Sequence, residues 1–482
     1  MRNIYFFVKK YQFVLLVLLF IADGIFSFFQ YINMPLDGDM SAIILPAEWY
    51  SKVLESPLGL KALVDGETYG GSNRFFSHWS MSKYFKTIPF LIQNFTNPID
   101  SLFISCALFK TIIQIGLIFI LATYIKNTLK FNLLPIVCLL FPFFQAHGFY
   151  AQMGIIDQSI TYVFFYAFPL LLTLIWFFPF YTYLFIKQKT TFPWWHWLYL
   201  IPLMFIISFS GPLVQPIIFL VCPITLLFWF LNSWLSDNNK GSERLVSSIS
   251  RIPKTLMFAF IGITLIALYA YYIGTFNVEN INNNTLALSE RYVKLAKGLI
   301  KIFTVKLGLP IIILAISINI FILKKYNLLK AKHHLFILLL AIIIFSTLYL
   351  LLLPLGGYRN YRPYIIRYDT LLPISICLIS YCVLTSCYVI SILPKRKKRY
   401  LVGIIMVLFV FQLFDEFKSA PNNCEKRMLA EIASSKTSKI KLTENCRVLG
   451  WHSFKTPNES KINAEMLYYW KVTDKQILYY YK

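Results

Sequence analysis

Residues 11–39 read YQFVLLVLLFIADGIFSFFQYINMPLDGD, and this stretch decides the fold class. From Tyr11 to Ile32 it is one apolar run, long enough at about 1.5 Å per residue to cross a hydrocarbon core about 30 Å thick. Lys9 and Lys10 precede it, as in a signal peptide. The run is too long for one, and no convincing small-residue cleavage site follows, so it reads as an uncleaved first span. Just beyond its end stand two carboxylates, Asp37 and Asp39. Acids at the mouth of a membrane helix are costly, which makes this pair the first candidate for chemistry.

The same pattern recurs along the chain. Of 482 residues, 57% are hydrophobic and only 14% charged, a balance that excludes a water-soluble domain of this size. Candidate spans lie near 11–32, 100–124, 132–148, 160–186, 197–209, 213–232, 255–275, 305–323, 335–353, 371–393 and 400–414. The expected fold class is an all-α polytopic membrane protein with about eleven transmembrane helices. A net charge of +24 could suggest nucleic acid, but the basic residues cluster in short connections between spans, so nucleic-acid binding is rejected.

Those clusters set an expected orientation. Lys126/Lys130, Lys187/Lys189, Lys240/Arg244/Arg251/Lys254, Lys324/Lys325/Lys330/Lys332 and Lys395–Arg399 fall on alternate connections, as the positive-inside rule requires for a cytoplasmic N-terminus. The C-terminus and the acid pair then face the outer side. The alternation needs two crossings at 197–209 and 213–232, separated by Ser208–Pro212.

Four outer segments carry the remaining candidates. The first, 33–97, is too long for a connector and should form interfacial helices; its stretch Gly70–Trp79 includes Arg74 and His78. The second, 286–303, reads as an amphipathic helix with Tyr292, Val293, Ala296, Leu299, Ile300 and Phe303 on one face. Arg291, Lys294, Lys297 and Lys301 lie on another, suited to anionic headgroups or simply to water. The third, 354–369, interleaves Arg359, Arg362 and Arg367 with tyrosines that include Tyr358 and Tyr361. Arginine binds phosphate oxygens in bidentate fashion, so this loop is a candidate clamp for a lipid-linked phosphate. Its plain alternative is an aromatic belt with arginines paired to Asp369 and headgroups. The fourth, 145–158, offers His147 and Asp157, either of which could merely cap a helix.

Within the spans, Asp23 and Lys110 lie at similar depths and are expected to pair across the first two helices. Six of eight cysteines fall in apolar spans; Cys424 and Cys446, in the outer tail, would form a disulfide in an oxidising compartment. That tail reads as a small cap packed on the outer loops. Nucleotide-binding, nucleophile-elbow and metal-cluster motifs are absent from the sequence.

An N-in first span, acids at the start of a large first outer loop, about eleven spans and a small outer C-terminal piece together resemble the GT-C superfamily of integral-membrane glycosyltransferases. The only motif match is Asp37-Gly38-Asp39. The resemblance implies a glycosyltransferase-like membrane domain over 1–414 and a cap over 415–482. It also implies sugar transfer from a polyprenyl-phosphate donor to a glycan, lipid or protein acceptor on the outer face of the membrane. Asp37 or Asp39 would act as general base, with a divalent cation there as a candidate cofactor. Arg359, Arg362 and Arg367 would hold the donor phosphate, with Tyr358, Tyr361, Arg74, His78, His147 and Asp157 as further substrate contacts. The alternatives are a polysaccharide polymerase or ligase acting on diphosphate-linked glycans, which would place the catalytic weight on the arginines, and a lipid or glycan transporter.

Overall fold

The structure, a computed structural model, describes residues 2–129, 131–146, 152–237, 241–279, 286–326, 333–359, 363–393, 397–415 and 422–481. Eight helices among them are long and apolar enough to cross a membrane: Lys10–Ile32, Pro98–Leu129, Ile160–Ile186, Val214–Ser236, Lys254–Gly274, Gly308–Lys325, His333–Gly356 and Tyr368–Ile392. The chain is therefore a multi-pass helical membrane protein. Three of the eleven expected spans are shorter: Leu133–Phe143, His196–Ser208 and Lys397–Leu413. The first tightens into a 3₁₀ turn at Phe141–Phe143, where Pro142 removes a backbone donor. The second ends before Gly211, whose φ of +129° suits glycine alone, and the chain resumes as a helix at Val214. The expected break between these two helices is thus present.

Burial separates central helices from peripheral ones. Within the most apolar stretch of each, 78% of Tyr368–Ile392 and 67% of Ile160–Ile186 is buried, against 11% of Lys10–Ile32. Pro98–Leu129 links them, packing against the first helix and stacking Phe109 on Phe164 at 3.7 Å between ring centres.

One end of the bundle is knitted together by the first long connection. It forms the short helices Met40–Ile44, Glu48–Glu55, Leu60–Asp65, Phe75–Phe85 and Ile88–Ile92. Ser77 Oγ donates to the carbonyls of Phe164 (3.0 Å) and Ser210 (2.6 Å), and Ser72 Oγ to that of Ile273 (2.7 Å). Tyr69 and Asn277 form a parallel bridge, while the Asn277 side chain accepts from the amides of Gly71 and Glu279. Two of these carbonyls, those of Ser210 and Ile273, lie at or just past the C-terminal ends of helices, where they have no partner within the helix.

Residues 422–481 dock on the same end as a cap of two helices, Asn423–Ser434 and Lys461–Tyr469, and two parallel strands, Lys439–Lys441 and Leu478–Tyr480. Cys424 and Cys446 are joined in the expected disulfide. Trp470 is fully buried; its indole donates to the Phe85 carbonyl (3.0 Å) and its own carbonyl accepts from Gln93 (2.8 Å).

One expectation fails. Lys110 does not pair with Asp23: it is buried and turns to the Gln158 carbonyl, the Met34 sulfur and the face of Tyr31. Rise per residue gives depth in a span but not direction around the helix axis, and Lys110 faces the loop end. In the helix Leu288–Val305, the buried side chains are Leu295 and Ile302, with Gly298 between them, whereas Val293, Ile300 and Phe303 are exposed. Part of the basic face turns inward instead: Lys294 covers Tyr358, Lys301 covers Tyr364 and Arg291 donates to the Pro354 carbonyl. In a membrane protein the apolar face need not be the buried one.

Trp470→Ala removes a large buried side chain and its indole hydrogen bond to the Phe85 carbonyl. It is expected to lower stability by about 3–5 kcal/mol, read as earlier thermal unfolding of the detergent-solubilised protein, with Trp470→Phe intermediate.

Candidate active site

The acid pair is built on two facing turns. In the first, Asp37 Oδ1 accepts the Asp39 amide at 3.0 Å; in the second, Asp157 Oδ1 accepts the Ser159 amide at 2.8 Å. These local side-chain-to-backbone bonds are what short acids do at turns. Ser159 then caps the helix that begins at Ile160, accepting from the Tyr162 amide.

Asp37 ties the two turns together. Its carboxylate accepts from Ser159 Oγ (2.8 Å), the Thr161 amide (2.9 Å) and Thr161 Oγ1 (2.9 Å), besides the Asp39 amide. With these four donors and near-complete burial, Asp37 is occupied as an acceptor.

Asp39 is different. It is half-buried, with the Trp451 side chain beside its carboxylate. Burial, then the charge of Asp37, push its pKa up to about 6, with Glu279 adding to the rise and Trp451 and Arg74 opposing it. A carboxylate tuned towards neutral pH and reachable from solvent is suited to accept a proton.

Around Asp39 the structure places a cationic group that local sequence does not reveal. Arg74 lies 3.9 Å and Arg359 3.4 Å from Glu279 Oε2, Arg359 also donates to the Glu279 carbonyl, and Tyr50 donates to Glu279 Oε1 at 3.2 Å. Two guanidiniums thus converge on one carboxylate. Glu279, Tyr50 and Trp451 were not candidates from sequence. Glu279 follows a span with no motif around it, and Trp451 sits in a polar tail.

On the other side, Arg367 forks onto Asp369 through Nε and Nη2 and lies 4.9 Å from the centre of the Tyr162 ring. Tyr162 in turn stacks on Trp451, with ring centres 6.0 Å apart and planes 20° apart. Asp157 belongs to this side: burial and then Asp369 raise its pKa to about 6, against Arg367 and Lys110. Arg367 is thus already engaged by a carboxylate, as the plain reading of its loop had it.

The other expected residues divide as follows. His78 is buried between Tyr50 and Phe165, at 4.9 and 5.1 Å, and burial lowers its pKa to about 3. It is a buried, neutral imidazole packed among aromatic rings. Tyr358 is buried beneath Lys294. His147, Tyr361 and Arg362 lie outside the described residues.

The donor set argues against a cation bridging the acid pair. Asp37's oxygens face hydroxyl and amide hydrogens, leaving Asp39 as one carboxylate where a bridged site needs two. Among the described residues, the only trio with metal-ligand spacing is Cys424, Glu444 and Cys446, and its two sulfurs are bonded to each other.

No protein-family model, curated protein or solved structure matches this chain.

Gly38, between the two acids, is required by close approach: a Cβ there would lie 2.6 Å from the Trp451 amide nitrogen and 2.7 Å from its ring. The two acids should respond oppositely to neutralisation. Asp37→Ala leaves buried donors unsatisfied and is expected to cost on the order of 3 kcal/mol. Asp39 has a folded-state pKa above its unfolded value, so the stability from its protonated form is full below about pH 4 and is lost as pH rises through about 6. Asp39→Asn should therefore leave the unfolding temperature at pH 7.5 unchanged or higher, while Asp37→Ala lowers it.

Proposed function

We propose that the chain is a membrane glycosyltransferase that moves a sugar from a polyprenyl-phosphate carrier to an acceptor hydroxyl on the outer face of the membrane. The observation that carries this reading is the reachable Asp39 carboxylate, tuned to about 6, beside an Arg74–Glu279–Arg359 cluster at one end of a helical membrane bundle. On this reading, the three shorter apolar helices complete eleven crossings and the positive-inside pattern sets that end outward.

Asp39 takes the proton of the acceptor hydroxyl as its oxygen bonds to the anomeric carbon of the donor sugar. The anomeric carbon–phosphate oxygen bond breaks, and its electron pair leaves with the polyprenyl phosphate. Arg74 and Arg359 stabilise the charge that builds on that phosphate, which competes with Glu279 for their guanidiniums. Asp37 holds the turn that aims Asp39 and does not itself meet substrate. Low dielectric at the membrane surface strengthens these interactions, and the lipid carrier arrives with its phosphate at headgroup depth.

The test is transfer from a radiolabelled polyprenyl-phosphate sugar in proteoliposomes. Asp39→Asn should reduce transfer by at least about 10²-fold, the usual contribution of a general base. Arg359→Ala and Arg74→Ala should reduce it by about 10-fold or more each, with weaker donor binding. In the wild type, kcat/KM should climb as pH rises through about 6 and then level off, because only ionised Asp39 accepts a proton. Full transfer by Asp39→Asn would refute the base. Unchanged donor use in the double arginine variant would refute the clamp. A diphosphate-linked donor used in place of the monophosphate would shift the assignment to a polymerase or ligase.

A further inference from the structure

Trp451 is the most unusual residue of the cap. Its neighbours Val448 and Leu449 are fully buried, yet the tryptophan itself is 44% exposed. Its position is nevertheless fixed from several sides. The Val448 amide donates to Tyr481 and the Val448 carbonyl accepts from Tyr479. The Leu449 carbonyl accepts from Asn463 at 2.8 Å, and its amide donates to Glu425 at 3.2 Å. The other oxygen of Glu425 accepts the Leu36 amide at 3.1 Å. One buried carboxylate therefore clamps the tryptophan loop to the acid loop. The indole ends against Gly38, beside the Asp39 carboxylate and stacked on Tyr162.

An exposed indole held this firmly forgoes the burial that its large apolar surface would otherwise gain. A free loop would tuck it away; here the cap holds it out beside the reactive carboxylate. A flat, rigid aromatic face next to a proton acceptor suits a ligand that has an apolar ring face and hydroxyls at its rim. That is the chemistry of a pyranose, whose C–H groups lie on its faces and whose hydroxyls lie around its edge. A serine side chain or a simple lipid alcohol offers no such face.

We propose that Trp451, supported by Tyr162, is the platform of an acceptor subsite for a sugar ring, so that the acceptor of this site is a carbohydrate and the C-terminal cap selects it. The proposal rests on the transferase reading for its acceptor, but not for its test. Tryptophan ring contact sets acceptor affinity, and Asp39 sets the fate of the bound hydroxyl.

The experiment is saturation-transfer NMR on the full chain in nanodiscs, with a panel of soluble gluco-, galacto-, manno- and N-acetylglucosamine disaccharides at millimolar concentration. At least one should receive saturation at its ring C–H groups in the wild type and equally in Asp39→Asn, which cannot turn over. Trp451→Ala should weaken that binding by about tenfold, the size of one good aromatic contact, and Trp451→Phe should restore most of it. Unfolding temperatures of both variants identify any loss that comes from a misfolded cap: Trp451→Phe, correctly folded, decides the case if Trp451→Ala is not. Absence of saccharide binding in the wild type overturns the proposal. So does binding that Trp451→Ala leaves intact. If saccharides bind through Trp451 while Asp39→Asn retains full transfer, the subsite stands and the proposed base falls.

Discussion

The carboxylate of Asp37 holds four hydrogen bonds in a place where water is scarce. It joins the end of the first span to the start of the helix at Ile160, two elements separated by more than a hundred residues in sequence. In a low dielectric such a group is either fully satisfied or strongly destabilising, so the geometry around it has little freedom. Once Asp37 is fixed, Gly38 is pinned under Trp451, and Asp39 projects past it towards the arginines. The site is a consequence of one acid being used as an anchor so that its neighbour can stay open.

A second layer supports the first. Glu425 holds Leu36 and Leu449 together, and the Asn422 side chain donates to the Met34 carbonyl at 2.6 Å. Burial raises the Glu425 pKa to about 8 even though two backbone amides favour its charged form. The cap is therefore bonded to the acid loop through buried polar groups at two points, Met34 and Leu36, and packs closely on it at Gly38. Such networks specify one arrangement more sharply than apolar packing does.

Helical membrane character, the short helices of the first long connection and the cysteine pair were all legible in the sequence. Each is a matter of local composition or compartment. What escaped depends on direction and on distant partners. A spacing of two places Asp37 and Asp39 on one turn but cannot say which meets donors and which meets solvent. Glu279 matters because two arginines from distant loops converge on it. The pairing of Lys110 was misjudged because depth was known and azimuth was not. The amphipathic helix at Leu288 follows from its periodicity, but which of its side chains are buried does not, since apolar surface here can face lipid. The helix Leu133–Phe143 is shorter than the apolar run 132–148 because hydropathy does not register where Pro142 interrupts the hydrogen-bond ladder.

The cap also imposes an order on assembly. Every membrane helix is synthesised before residues 422–481, yet the wall of the site that carries Trp451 belongs to that last stretch, stapled by Cys424 and Cys446. A chain whose helices have all inserted therefore still has an open, unfinished centre. Completion waits for the cap to dock on the same end of the bundle as the acid pair, through Glu425 and Asn422.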